Sequence, residues 1–371
     1  MLKVIEGLPG RIQKAFELGE VKLRRTLERY PDQIPMYTCG GTWVRQGEAW
    51  TQWCEGFLGG QLWLVYLWNR DAWWREQAER YTRPLEPRQY DRQVHDLGFL
   101  FWPTYKRWYD LDGDPALNQV VIQAGRTLAL RFKEPGGYVC SFMGADSLFI
   151  DIMMNVGIIY YAAQQSGDPD LERIAKQHCL TTRRTLVRGD GSTAHEGIFD
   201  LESGAFLRQS TQQGWRSDSC WARGLAWSLY GFGTAYRFSG DLRFLTTAQA
   251  CAGYYIEHTP AGGVPPNDYD DPDPDTPADS SAAAIAASGL LDLADLTSDP
   301  ARAALYQRYA LNILYTLCGP DYLSSEMPMW EGLLRHAVYH RPRGLGVDES
   351  VIWGDYFFLE ALSKAAEHAG D

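Results

Sequence analysis

The chain has 371 residues and a formal net charge of −12, long enough for one large domain or two ordinary ones. The acidic balance argues against a nucleic-acid partner, no apolar run reaches membrane-spanning length, and no Pro/Ser/Gly-rich linker divides the chain, so a single domain over 1–371 is expected. Seven scattered cysteines without a Cys-x-x-Cys pair, and an opening stretch Met1–Gly10 without an apolar h-region, argue against a disulfide framework or a zinc site and point to a reducing cytoplasm.

Helical periodicity dominates, with little convincing strand. The expected segments are 2–29, 57–69, 71–83, 93–110, 115–133, 147–166, 169–187, 221–239, 241–257, 280–296, 300–318 and 353–368. Five similar turns join them in pairs, around Asp71, Asp114, Asp168, Asp241 and Asp299, at intervals of 43 to 73 residues. Each Asp can cap the following helix, Pro115, Pro169 and Pro300 suit its first position, and Gly113, Gly167 and Gly240 can end the preceding one. The preceding helix is usually the more apolar, the following one amphipathic. Six such hairpins predict an all-α fold, an (α/α)₆ barrel; a solenoid is the alternative, and the long unequal loops count against it.

Those loops (30–56, 84–95, 134–146, 188–220, 258–279 and 319–352) all lead into the more apolar helices, so a barrel gathers them at one end, where a cleft forms. In the loop 188–220, Gly197–Asp200 and Gly204–Leu207 flank a hairpin turn. Fourteen Trp and 21 Tyr, several in Gly-rich loops, suit the flat faces of sugars, although core packing absorbs most aromatics in any protein.

Four polar–aromatic clusters sit at loop-to-helix junctions. In the apolar run from Ala145 to Tyr161, Ser147, Asp151 and Asn155 fall at i, i+4 and i+8, one stripe of a buried helix. A carboxyl in such surroundings is either paired or keeps its proton, and a protonated carboxyl can act as a general acid; the plain alternative is an Asp bonded to a loop backbone. Asp96, in His95-Asp96-Leu97-Gly98-Phe99, is either an ionised partner at a helix start or simply its cap, and Pro103 behind it should kink the helix. Arg223 lies between Trp221 and Trp227 after Gln212-Gln213, and Trp53 precedes Glu55 at another helix start. His195 is ambiguous. No Walker loop, His-Glu-x-x-His or Gly-x-Ser-x-Gly is present.

In order along the chain, His95–Phe99, Ile150-Asp151 with Asn155, Leu186–Asp190, Gln213-Gly214, Trp221–Gly224, Asp279–Ala282 and Ile352–Tyr356 resemble the unsaturated glucuronyl hydrolases, glycoside hydrolase family 88. The resemblance implies the same barrel and an enzyme that removes a 4,5-unsaturated uronic acid from the non-reducing end of oligosaccharides left by polysaccharide lyases. It places Asp151 on the general acid/base and Asp96 on the second essential carboxylate. Trp53, His195, Gln213, Trp221 and Arg223 fall on substrate-contacting positions, and Phe142 stands near a position where the family has a stacking Trp.

The implied chemistry is hydration of a vinyl ether. Asp151 protonates C4, water adds at C5, and the resulting hemiketal opens and expels the aglycone; no metal or organic cofactor is required. Arg223 and His195 are the candidates for the uronate charge. Glu55 stands where an Asp is usual and Gln212 where a His is usual, which leaves the aglycone and its sulfation open. The neighbouring rhamnogalacturonyl hydrolases, an ordinary inverting glycosidase and a non-catalytic sugar-binding barrel are the alternatives, and the oligomeric state is not legible.

Overall fold

The computed structural model describes residues 5–44 and 51–370. Residues 2–4 of the expected first helix and 45–50 of the first long loop lie outside the described residues.

All five Asp turns form as the sequence implies. Asp71, Asp114, Asp168, Asp241 and Asp299 each accept a backbone N–H two residues on, from Trp73, Ala116, Asp170, Arg243 and Ala301. Gly113, Gly167 and Gly240 end the preceding helices in the left-handed region, at φ of 67°, 68° and 66°. Arg70 takes the same role at φ 58° without being glycine.

These joints link α2 (Gly56–Asn69) to α3 (Ala72–Thr82), α5 (Arg107–Asp112) to α6 (Pro115–Ala129), and α7 (Ile152–Ser166) to α8 (Pro169–Leu186). They also link α9 (Ala222–Ser239) to α10 (Leu242–His258), and α11 (Ser280–Leu296) to α12 (Pro300–Leu317). The sixth pair is α13 (Ile352–Gly370) with α1 (Leu8–Arg29). In four of these joints the first helix is apolar nearly all round and forms part of the inner ring; every residue of α11 from Ser280 to Leu291 is buried, whereas of α5 only Trp108 is. The outer helices bury one stripe; α8 turns Leu171, Ile174, Ala175 and His178 inward and keeps its charges out. α7, α9, α11 and α13 pack in sequence, α4 (Leu97–Phe101) packs against both α2 and α7, and α13 packs on α2. That last contact closes the ring into an (α/α)₆ barrel; a solenoid would leave it open.

Three expected elements differ, the first being the segment 115–133, whose helix stops at Ala129 and whose last two residues form a strand. The segment 93–110 forms α4, a π-turn at Trp102–Lys106 and then α5, because Pro103 interrupts the α-helical bonding. The segment 147–166 begins as a strand, so Ser147 is not on the stripe with Asp151 and Asn155. An unbroken apolar run fits a buried strand as well as a buried helix, and periodicity alone does not separate them.

Strand is also more frequent than expected, in short antiparallel pieces within the long loops. β1 (Thr38–Cys39) pairs with β2 (Thr42–Trp43), and β3 (Phe132–Lys133) with β4 (Tyr138–Val139). β5 (Ser147–Phe149), β6 (Glu196–Phe199) and β7 (Phe206–Ser210) make a three-stranded sheet whose β6–β7 half is the expected hairpin. β8 (Ala337–His340) pairs with β9 (Leu345–Glu349). No helix among the described residues is long and apolar enough to cross a membrane.

Candidate active site

Every inner helix starts at the loop-bearing end of the barrel; Trp53 ahead of α2, Asp96 at α4, Asp151 at α7 and Arg223 in α9 reach one place, with Asp279 at α11 behind Arg223 and Trp353 in α13 behind Trp53. The helix N-termini thus converge, and their partial positive charges favour an anion in the space between them. That space is a cleft lined by Trp53, His95, Asp96, Phe142, Asp151 and Gln213, among others.

Two glycines and an asparagine fix the spacing of the carboxyls. Gly98 lets α4 approach α7 so closely that an added Cβ would stand 2.7 Å from Asn155 Cα. Asn155 accepts the Phe99 backbone N–H at 2.9 Å and directs its amide nitrogen at Asp96 Oδ1, 3.5 Å away, and at the Asp151 carbonyl, 3.3 Å away. Gly56 performs the same service between α2 and α4, where a Cβ would lie 2.2 Å from the Phe99 carbonyl oxygen.

Both carboxyls hold their protons unusually well, but not in the expected order. Burial, opposed mainly by the charge of Arg223, raises Asp151 to about 6. Asp96 is pushed well above the carboxylate range, first by burial and then by Asp151. Position at a helix start does not make Asp96 the ionised partner, because its carboxyl makes no cap bond to the helix and its near donor, Asn155, is distant. Asp151 Oδ2 is buried without a hydrogen-bond partner.

Each carboxyl faces a histidine in the same state. His95 Nδ1 accepts the Phe142 N–H at 3.0 Å, which leaves the proton on Nε2, 3.4 Å from Asp96 Oδ1. His195 Nδ1 accepts the Gln212 N–H at 3.1 Å, which leaves the proton on Nε2, 3.5 Å from Asp151 Oδ2. Burial lowers both rings, His195 to about 3, so neither carries charge near neutral pH.

Arg223 is fully buried and already engaged. It pairs with Asp279 at 3.1 Å, donates to the Val338 and Tyr339 carbonyls, and donates to Gln213 Oε1. The guanidinium only donates, so Gln213 must turn its oxygen toward it and its NH₂ away, a donor for whatever occupies the cleft. The expectation that Arg223 itself grips an anionic sugar group meets this obstacle: its terminal N–H groups are taken by the protein.

Of the other expected contacts, Trp53 lines the cleft, its ring 4.8 Å from that of Trp353. Phe142 is 41% exposed and lies over His95 with ring centroids 5.4 Å apart, presenting its outer face to the cleft. His195 and Trp221 stand behind the lining: Trp221 is 1% exposed, packs its ring 4.6 Å from that of His195, and lies 4.4 Å from the Arg223 guanidinium. Glu55 faces away, paired with Arg88. Sequence reasoning missed Met143, Phe149, Tyr339, His340 and Arg343 in the lining. All come from loops or short strands, where no periodicity marks them.

Two concentric helical rings, with paired protonatable carboxyls in an aromatic cleft at one mouth, define a carbohydrate-active (α/α)₆ barrel. No family model matches the chain. It is similar to the unsaturated glucuronyl hydrolase of Bacillus sp. strain GL1, 34% identical over 92% of this chain and 93% of that one. It is also similar to the unsaturated chondroitin disaccharide hydrolase of Streptococcus agalactiae serotype III strain NEM316, 32% identical over 85% of this chain and 81% of that one. Among solved structures, an unsaturated glucuronyl hydrolase specific for heparin superposes with a TM-score of 0.91 at 31% identity, covering 98% of both chains. The chain belongs to the unsaturated glucuronyl hydrolases, glycoside hydrolase family 88.

Proposed function

We propose that this chain hydrates the C4=C5 vinyl ether of a 4,5-unsaturated glucuronic acid at the non-reducing end of lyase-generated, glycosaminoglycan-type oligosaccharides. The observation that carries the reading is the pair of buried carboxyls, each raised and each faced by a neutral histidine N–H, at the floor of an aromatic cleft. Such a pair can give up one proton and take it back without a metal ion or cofactor.

In this reading Asp151, protonated in about half the molecules near pH 6, delivers its proton to C4. Positive charge develops at C5 and its ring oxygen. The carboxylate left on Asp151 is met by the His195 Nε2–H and takes a proton from the water that adds to C5. The product is a hemiketal, which opens and releases the aglycone. Asp96, holding its own proton, donates to a sugar hydroxyl. Gln213 offers its NH₂ to the uronate, whose charge is further favoured by the converging helix starts; Arg223 orients Gln213 and moderates Asp151. Trp53 and Phe142 supply faces for the sugar rings, and Trp221 backs His195.

The closure of the ring by α13 on α2 supports a single catalytic domain over 1–371. All seven cysteines are free and six are buried, which supports a reducing, cytoplasmic setting. The experiment is the conjugated-enoate absorbance of unsaturated disaccharides from chondroitin, hyaluronan, heparin and rhamnogalacturonan, each incubated with wild type and Asp151→Asn. Loss of the band with a glycosaminoglycan disaccharide and wild type only supports the reading. Preference for the rhamnogalacturonan product, or no loss with any substrate, overturns it.

A further inference from the structure

Behind the cleft, one buried carboxylate joins the two loops that hold the histidines. Glu196, on β6, is 2% exposed. Its Oε1 accepts the Ser147 hydroxyl at 2.5 Å, and its Oε2 accepts the side-chain amide of Gln212 at 3.1 Å. Ser147 Oγ in turn accepts from Ser141 Oγ at 2.7 Å, and Ser141 Oγ accepts the Met143 N–H at 3.1 Å. Every donor in this relay points toward Glu196.

The two ends of the relay are the two histidine clamps. At one end, the residue between Ser141 and Met143 is Phe142, whose N–H fixes His95 against Asp96. At the other, Gln212 fixes His195 against Asp151 with its backbone N–H while its side chain is tied to Glu196. The histidine N–H groups reach the carboxyls only while both loops stay in register with each other. We infer that Glu196 is a positioning residue for the reaction: through Ser147 and Gln212 it sets the distance between the two carboxyl–histidine pairs. The inference rests on the proposed roles of Asp96 and Asp151. It also explains the Gln212 side chain, whose NH₂ donates to Glu196.

The pair can be inverted as a test. Gln212→Glu sets two carboxylates against each other and should push the loop off His195. Glu196→Gln combined with Gln212→Glu restores a donor–acceptor pair, because the new amide at 196 accepts from Ser147 and donates to the carboxylate at 212. In the single variant, turnover should slow by about 30-fold or more while KM changes less than about threefold. The combined variant should recover to within about fivefold of wild type, and both should keep the wild-type circular dichroism.

A charge effect of the new carboxylate on the substrate would persist in the combined variant, so absence of rescue overturns the inference. So does a single variant that turns over as fast as wild type. Long-range ¹H–¹⁵N spectra of the histidine rings provide a readout independent of turnover. In wild type His195 should show an unprotonated Nδ1 and protonated Nε2, as the Gln212 N–H implies; this signature should be lost in the single variant and regained in the combined one. Should wild type turn over no unsaturated substrate, the proposed reaction fails, while the ring spectra still decide whether Glu196 sets the histidine.

Discussion

His195 stands with its protonated Nε2 3.5 Å from Asp151 Oδ2, and its opposite nitrogen is held by the backbone of Gln212. A neutral imidazole so placed donates most strongly to Asp151 once that carboxyl has lost its proton, which is the state reached once C4 is protonated. His195→Asn keeps an acceptor near the Nδ1 position and removes the Nε2–H. Hydrogen bonds to charged groups contribute about 1.5–3 kcal/mol, so kcat should fall roughly 10- to 150-fold with KM little changed. The alkaline limb of the rate profile should move up, because the ionised Asp151 loses a stabilising donor. A limb that stays in place would separate His195 from Asp151.

The rate profile of wild type should itself be governed by the carboxyl pair. Burial holds Asp151 at about 6, and only its protonated form can deliver a proton to carbon. The ratio kcat/KM should therefore decline tenfold per pH unit above an apparent pKa near 6 that belongs to the Asp96–Asp151 pair as a whole. His195, lowered to about 3, contributes no limb in this range. Stopped assays between about pH 4.5 and 8.5 check this, and a limb centred near pH 8 would assign the proton to some other group.

The same burial has a cost in stability. Between the unfolded value near 4 and the folded value near 6, the native state binds more proton at Asp151 than the unfolded chain does. Stability consequently falls as pH rises through that window, and the full penalty, roughly 3 kcal/mol, is present above it. Asp151→Asn removes the ionisation. At about pH 8 it should raise the melting temperature by roughly 4 °C while abolishing turnover, and the gain should shrink toward zero below about pH 4. Equal melting temperatures across the range would mean that Asp151 ionises without strain.

Phe142 lies on the cleft's rim with one face on His95 and the other exposed. Phe142→Ala leaves the backbone N–H that fixes His95 in place and removes only the ring. Aromatic stacking of this kind is worth about 0.5–1.5 kcal/mol, so KM should rise roughly 2- to 12-fold with kcat nearly unchanged. A kcat loss exceeding the KM effect would show that the ring also orders His95.

The barrel was legible in the sequence because its joints are chemical. Asp at the cap, Pro at the first turn and Gly in the left-handed position recur, and the structure uses each of them as such. Asp96, Asp151 and Trp53 were also within reach, as polar or aromatic groups at the starts of apolar helices, and Gln213 as part of the polar stretch before Trp221. The strand at Ser147 was not, since Leu148, Phe149 and Ile150 are buried in either conformation. Nor was the proton order of the two carboxyls: it depends on Arg223 reaching across to Asp151, and on Asp96 making no cap bond. His340 ends β8 and Arg343 lies in the turn after it, so both reach the cleft through β8 pairing with β9, a register that no local pattern announces.

Gly98 separates a rule about helices from a rule about this site. In an exposed helix, Gly→Ala stabilises by about 1 kcal/mol. Here the new methyl would stand 2.7 Å from both Cα and Oδ1 of Asn155, and backbone on the far side cannot yield as a flexible side chain would. α4 must move away from α7, and Asp96 moves with it. Overpacking should outweigh propensity and leave the variant about 1–3 kcal/mol less stable. The larger effect should be on turnover. A displacement of about 1 Å between reacting groups costs on the order of 10²-fold, and Gly98→Ala changes the separation of the two carboxyls without removing either. Denaturant unfolding together with kcat on an unsaturated disaccharide checks both halves. A variant that is less stable yet fully active would show that the α4–α7 spacing serves packing alone.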